Sequence, residues 1–445
     1  MRLFRANFCL AVGLAFSQIG SPALATDVAA KVDSSQLSWV RDMVSQVLSL
    51  QPEVAKAASE ARRAGYLLKE AEAARLPRIA VDGSYGVQNQ TLVQQGRTNK
   101  FDGQQTLQIR VNQPLLDAVA KKRTSQSGAL ADGADWQLAS VREQVMLRTI
   151  ELYAEILRSS RLTELARENL RLHRQYIGQM KDIARSDLGR ASDLLIVQSR
   201  VALAESVLTS RLAKLESARV QWRAFTTLPS PEEAPGAALA AVLKELPAVN
   251  LPESLDMAVE QAVASSAQIQ KSLVDVRVAE AALGLVDARR MPTLGAEVRH
   301  QYGHNYGSIF GDQRDWYMGL NAQWRFSLGD RPAGKAAGES VLAARQAADA
   351  AVYRVRGLVE SHWFDLQASA ASLDSYRVYV DQAQAVVESY AEQFRIGRRS
   401  LLDVLNAENE LFTARSNAVT TEIDLSLAAW RLLSSRGYLA AELGL

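Results

Sequence analysis

Trp316-Tyr317-Met318-Gly319-Leu320-Asn321-Ala322-Gln323-Trp324-Arg325-Phe326-Ser327-Leu328 alternates with period two. Trp316, Met318, Leu320, Ala322, Trp324, Phe326 and Leu328 fall on one face, and Tyr317, Gly319, Asn321, Gln323, Arg325 and Ser327 on the other. Successive side chains of a strand point to opposite sides, so one face is apolar and the other wet. Aromatics near both ends and a polar reverse side suit a membrane barrel strand with Asn321, Gln323 and Arg325 toward an aqueous lumen. Three further segments read the same way. Leu294, Ala296, Val298 and Tyr302 oppose Glu297, Arg299 and Gln301; Ile79, Val81, Tyr85 and Val87 oppose Asp82, Ser84 and Gln88; Leu107, Ile109 and Val111 oppose Gln108, Arg110 and Asn112. The predicted strands are about 79–90, 104–114, 293–304 and 316–328. Alternation alone also describes a soluble protein with two hairpins half buried against helices, so the placement of the segments has to decide.

That placement is duplicated. Ala74-Arg75-Leu76-Pro77 recurs as Arg289-Arg290-Met291-Pro292, Val141-Arg142 with Val145 recurs as Val355-Arg356 with Val359, and Leu188-Gly189-Arg190-x-Ser192 recurs as Ile396-Gly397-Arg398-x-Ser400. The order is kept and the offsets run from 208 to 215, so two copies of one unit are predicted, 26–228 and 255–445. Between them lies a joint, 229–254, holding five of the eleven prolines. Each copy is expected to hold a helix ending at its proline, two strands, a very long helix, a glycine turn and a shorter returning helix. In the second long helix Leu366, Leu373, Tyr376, Val380, Ala383, Val387, Tyr390 and Phe394 form a heptad seam. The first carries two adjacent seams, one through Leu138, Val141, Val145, Leu152 and Ile156, the other through Met146, Ile150, Tyr153 and Leu157. Such a helix has neighbours on both sides, like a stave. The long helices reach ~90–100 Å and the returning ones ~50 Å, so the helices before each proline, 53–76 and 255–291, are expected to fill the remaining length. Four strands cannot close a barrel; three chains would supply twelve.

Composition excludes much else. The 445 residues are 48% hydrophobic and 22% charged, with one cysteine, Cys9. Arg2 and Arg5, the apolar run from Phe8 to Phe16 and Ala23-Leu24-Ala25 read as an export signal, 1–25, cut after Ala25. The remaining chain has 49 basic and 49 acidic side chains and no thiol. It is therefore expected to form no disulfide or thiolate site, to carry no lipid anchor, and not to take nucleic acid as its main partner. No run of eighteen apolar residues offers a spanning helix, which leaves a closed barrel as the route across a membrane. His300-x-x-x-His304 lies on a strand running into a loop and lacks a third ligand, so no metal is expected. No phosphate-cradling loop or nucleophile elbow is present, and no cofactor or enzymatic activity is predicted.

Phe394-Arg395-Ile396-Gly397-Arg398-Arg399-Ser400-Leu401-Leu402-Asp403-Val404-Leu405-Asn406-Ala407-Glu408-Asn409 resembles the second periplasmic turn of the TolC-type outer-membrane factors. Continued through Glu410-Leu411-Phe412, it is most similar to the type I secretion branch. The resemblance covers essentially the whole chain after the signal. It implies a mainly α protein with a membrane β-barrel: a homotrimer with a twelve-stranded pore in outer-membrane lipid, continued by a twelve-helix barrel into the periplasm. It also implies a periplasmic adaptor and an inner-membrane ABC or proton-driven transporter, with the duct itself a passive exit for protein. A drug or small-molecule efflux duct is the near alternative, and a periplasmic coiled-coil adaptor one of a different class. Onto this chain the resemblance carries an adaptor contact at Leu188, Gly189 and Ser192 and at Ile396, Gly397 and Ser400. It also carries a closing pair, Arg399 with Asp193, and an acidic ring at Asp403. Local chemistry explains some of the same residues: Gly397 suits a helix end and Ser400-x-x-Asp403 a capping box. Phe394 stands where the family can have tyrosine, Asn406 where it can have a second acid, and the first turn is two residues shorter between Gly189 and Asp193.

Overall fold

A computed structural model describes residues 34–88, 91–92, 97–98, 102–186, 191–231, 251–304 and 311–445. The stretch read as an export signal, most of the proline-rich joint, and Leu188 and Gly189 of the first turn lie outside the described residues. Helices α1 (Ser34–Leu50) and α2 (Pro52–Ala73) lead into β1 (Arg78–Gln88), the short β2 (Thr91–Leu92) and β3 (Arg97–Thr98), and β4 (Asp102–Leu116). Then come α3 (Ala118–Ser186) and α4 (Ala191–Thr226). The second copy holds α5 (Leu255–Ser265), α6 (Ala267–Ala288), β5 (Thr293–His304), β6 (Asp312–Gln323), α7 (Asp330–Arg395) and α8 (Leu401–Ser435), followed by α9 (Leu439–Leu443).

The four long strands form one antiparallel sheet in the order β1-β4-β5-β6. Thus the hairpins of the two repeats pair with each other through β4 and β5, with Arg110 opposite Arg299 and Val111 opposite Val298. The last strand is displaced from its sequence reading. It starts at Asp312, because the polar run Asp312-Gln313-Arg314-Asp315 shows no alternation yet pairs with Gln301 to His304. It stops at Gln323, since its partner strand begins only at Thr293, just after Pro292. Arg325 therefore lies beyond the strand, where its guanidinium donates to Gln323 Oε1 at 2.8 Å, while Trp324 Nε1 donates to the Arg290 carbonyl at 2.9 Å.

Both long helices extend about 100 Å, with 69 and 66 residues. On α3 lie α2 toward the sheet and α4 toward the far end; on α7 lie α6 and α8 in the same arrangement. The α6 and α8 pair also packs on α3, so the lateral order is α2/α4, then α3, then α6/α8, then α7. The two seams of α3 part only toward the sheet, since Leu152 and Ile156 of the first join the second in one core. Leu138, Val141 and Val145 meet Val47 and Val54, whereas Met146, Ile150 and Tyr153 enter the largest core with Trp222, Trp430 and Leu433. The single heptad seam of α7 packs Val380, Ala383, Val387 and Tyr390 against Ala407 and Leu411 of α8.

One expected helix is two. The stretch 255–291 breaks at Ser266, which adopts an extended conformation between α5 and α6. The break is where the C-terminal chain reverses against it. Gly437 has φ +73°, and a Cβ there would sit 2.9 Å from the Ser265 carbonyl oxygen, while the Ser265 hydroxyl donates to the Arg436 carbonyl. A uniform apolar pattern carries no mark of a break imposed by a partner 171 residues away.

The same belt buries a carboxyl. Glu143 of α3 accepts a hydrogen bond from the Leu439 amide at 3.3 Å, yet burial dominates and pushes its pKa from 4.5 up to about 7. The folded chain holds this proton more tightly than the unfolded chain, so its stabilisation is full below about pH 4.5 and is lost as pH rises through about 7. Glu143→Gln is expected to remove up to about 3 kcal/mol of pH dependence across that window. Thermal unfolding of the detergent-solubilised protein at pH 5 and pH 8 checks this; parallel shifts in both proteins would refute it.

Candidate functional site

At the end of the helices farthest from the sheet, four helix termini converge on one apolar cluster. Met180 of α3, Val197 of α4, and Leu401 and Leu405 of α8 are buried in it. Tyr176, Ile177, Leu194, Ile196 and Phe394 pack around them. Phe394 is therefore an apolar contact between the two hairpins, which accounts physically for a ring without a hydroxyl. The cluster holds both turns at the same tip, although only the second is described throughout.

In that second turn α7 ends in a Schellman motif. The Gly397 amide donates to the Phe394 carbonyl and the Arg398 amide to the Gln393 carbonyl, both at 2.9 Å, with Gly397 at φ +76°. Open space surrounds the glycine, so its requirement is conformational. Ser400 caps α8, its Oγ accepting from the Asp403 amide at 3.2 Å and donating to Asp403 Oδ2 at 2.8 Å. Ile396 is exposed and Ser400 faces solvent, as does Ser192 on the opposite turn.

Arg399 is engaged within its own turn. Its guanidinium carbon lies 3.9 Å from the centre of the Tyr390 ring, its Nε donates to Gln393 Oε1 at 3.3 Å, and its Nη1 is 3.8 Å from Asp403 Oδ2. Asp193, half-buried in the first turn of α4, is not among these partners within one chain. Asn406 instead accepts from Arg200 Nη2 of α4 at 3.0 Å, tying the hairpins together.

Deeper in the same seam, Tyr176 of α3 donates to Glu408 Oε1 of α8 at 3.4 Å. Burial raises the pKa of Glu408, and burial together with that carboxyl pushes Tyr176 up to about 12. His173, one helical turn away, is held below its usual value by burial and then by the charge of Arg200. Arg200, Tyr176 and Glu408 were not singled out from sequence. Their partners lie more than 200 residues away, and periodicity along one helix does not show which facing helix supplies them.

At the other end the sheet presents two distinct faces. Ile79, Val81, Leu107, Ile109, Met318 and Leu320 are exposed on one, while Asn321 and Gln323 share the other with Arg110, Glu297, Arg299 and Tyr317. His300 stacks on Trp316 at 4.3 Å and His304 Nδ1 lies 2.7 Å from Asp312 Oδ1. No helix among the described residues is long and apolar enough to cross a membrane.

A sheet with a lipid-suited face, set on a wall of paired half-length helices, is the protomer plan of the TolC-like channels. Solved relatives match it over nearly the whole chain. The outer-membrane channel OprN aligns with a TM-score of 0.78 at 20% identity, covering 94% of this chain and 98% of that one. The Campylobacter jejuni CmeC outer membrane channel aligns with a TM-score of 0.78 at 12% identity, covering 97% and 94%. In sequence the chain is 24% identical to the outer membrane efflux protein BepC of Brucella suis biovar 1 over 82% of this chain and 78% of BepC. It is 22% identical to the outer membrane protein TolC of Vibrio cholerae over 92% and 93%. Residues 258–437 match the outer membrane efflux protein family. The chain thus carries, over residues 258–437, a domain that matches the outer membrane efflux protein family, and it is similar to BepC and TolC over most of its length. Its fold is that of these outer-membrane channels.

Two substitutions isolate the second turn. Gly397→Ala adds a side chain in the left-handed region and Ser400→Ala removes a cap, each costing about 1 kcal/mol. Both are expected to speed amide exchange across residues 391–405 while leaving the tryptophan core protected, as read by hydrogen–deuterium exchange.

Proposed function

We propose that three copies of this chain close into one continuous duct that serves as the passive outer-membrane exit of a type I secretion system. The observation that carries the trimer is the agreement of open edges at both levels of the molecule. The sheet ends at β1 and β6 with unpaired backbone, which lipid does not tolerate. The helical wall ends at α2/α4 on the β1 side and at α7 on the β6 side. Both wall edges expose large apolar side chains: Tyr66, Leu195 and Val220 on one, Tyr353, Phe364 and Val378 on the other. A second copy set with its β1 against β6 brings α2/α4 against α7 in the same movement, and threefold repetition supplies twelve strands and twelve helical staves.

TolC-like channels are homotrimers that work with adaptors and inner-membrane transporters. For this chain the adaptor is assigned to the turn residues Leu188, Gly189, Ser192, Ile396, Gly397 and Ser400. Energy for export comes from the transporter, because the duct carries no nucleotide-binding loop. The run from Phe394 to Phe412 supports protein as cargo; the efflux name of BepC supports a small-molecule duct as the second reading. Deleting the gene separates them. Loss of an extracellular protein with unchanged antibiotic susceptibility is the expected result, and the reverse pattern favours the second reading.

Closure at the tip is assigned to Arg399 meeting Asp193 of a neighbouring copy, with three Asp403 carboxylates just inside favouring cations. Replacing Arg399 by serine is expected to raise single-channel conductance in planar bilayers, and an unchanged closed state excludes this role.

The barrel wall is tested by a contrast of faces. Met318→Arg puts a guanidinium into lipid at a cost of about 2–4 kcal/mol near mid-membrane, whereas Asn321→Arg faces water. Trimer yield on heat-sensitive gels of outer-membrane fractions is expected to collapse for the first and persist for the second; equal yields would contradict the assignment of faces.

A further inference from the structure

The polar face of the sheet arranges its charges in rows. Moving from the helices outward, the first row is Arg78, Asn112, Glu297 and Gly319, the second Ala80, Arg110, Arg299 and Tyr317, and the third Asp82, Gln108, Gln301 and Asp315. Rows of one face are two residues apart, about 7 Å along the strands. The middle row sets two arginines directly opposite each other across β4 and β5. Like charges so placed destabilise a sheet, and glutamines occupy the equivalent pair one row outward without that cost. Neighbours compensate the arginines only in part. Glu297 Oε1 is 3.7 Å from Arg110 Nε, which makes no hydrogen bond among the described residues, and the Arg299 guanidinium lies 5.1 Å from the centre of the Tyr317 ring. The pair thus has donors to spare on a water-filled face.

We propose that Arg110 and Arg299 form an anion-binding collar in the barrel lumen, taking the phosphate or carboxylate groups of solutes in transit. The inference rests on the trimeric reading, since threefold symmetry sets three such pairs at one height around the lumen. Guanidinium forks match oxyanions in a bidentate fashion, which makes arginine more selective for them than a point charge. Asp82 and Asp315 form an acidic row on the outer side, and Arg78 and Glu297 a balanced row toward the helices. Positive charge is therefore concentrated at one level, with repulsion of anions beyond it.

The probe is tripolyphosphate, added to full-length trimers in planar bilayers after a trimer band has been confirmed. Wild-type current is expected to be blocked in a concentration-dependent way that weakens as KCl is raised. The Arg110→Gln/Arg299→Gln variant is expected to bind the blocker about tenfold more weakly or worse. Arg110→Lys/Arg299→Lys keeps the charge and the fold but loses the forks, and is expected to fall between. An unblocked wild type, or lysine variants blocked as tightly as wild type, overturns the collar. A wild-type chain that forms neither trimer nor pore overturns the duct reading, and is told apart at the gel.

Discussion

Unpaired backbone at a sheet edge is the constraint on which the molecule turns. In water an open edge is a hazard; in lipid each bare amide and carbonyl costs several kcal/mol. This sheet has only four long strands, and its apolar face excludes burial against its own helices. In the proposed trimer, closure by further copies satisfies the backbone. It also imposes symmetry on everything below, because α2 and α7 are the direct continuations of the two edge strands. A stave wall of half-length and full-length helices follows from the same chain paths.

The strength of the wall is not uniform along its length. At mid-height Trp222 and Trp430 are fully buried in a core that joins α1, α3, α4, α8 and α9, and ion pairs such as Arg431 with Glu151 cross between the repeats. Pro229, whose carbonyl accepts from Trp222 Nε1 at 3.0 Å, and the C-terminal reversal at Gly437 both meet this belt. It is the only level where elements outside the staves reinforce them among the described residues. Below it, α4 and α8 are held by narrower seams, and the outermost polar contacts are exposed.

Much of this was readable from the chain. Alternation located all four long strands, the duplicated prolines gave the repeat, and the doubled seam of α3 announced neighbours on both sides. What escaped was set by distant partners. The strand end at Gln323 depends on where β5 begins, so the apolar pattern running on through Trp324 and Phe326 misplaced Arg325. The break at Ser266 depends on Gly437, and the hydrogen bond of Asn406 depends on Arg200. At the tip, Gly397 and Ser400 were legible because helix ends write their requirements locally. Leu188 and Gly189 lie outside the described residues, so their counterpart role rests on the repeat alone.

The contrast between belt and tip carries a mechanical consequence. Exposed ion pairs contribute at most about 1 kcal/mol each, and the contacts of Arg399 and Asp403 are of that kind. The apolar cluster around Met180 and Leu405 is small beside the tryptophan core. Rearranging the tip therefore costs little, whereas rearranging the belt would open a packed interior to water. A duct must open at one end without losing its seal to the membrane. In the proposed duct, weak polar contacts at the tip and a large buried surface at mid-height would let one end move while the barrel, fixed by its own hydrogen bonds, stayed closed in lipid. The Tyr176–Glu408 contact lies between these regimes: it is sheltered enough to shift both groups upward in pKa, and it lies next to the tip cluster, so separation of the hairpins in the proposed gate would break it. Its loss would return a carboxylate to water, so hydration of Glu408 offsets part of the cost of separating the hairpins.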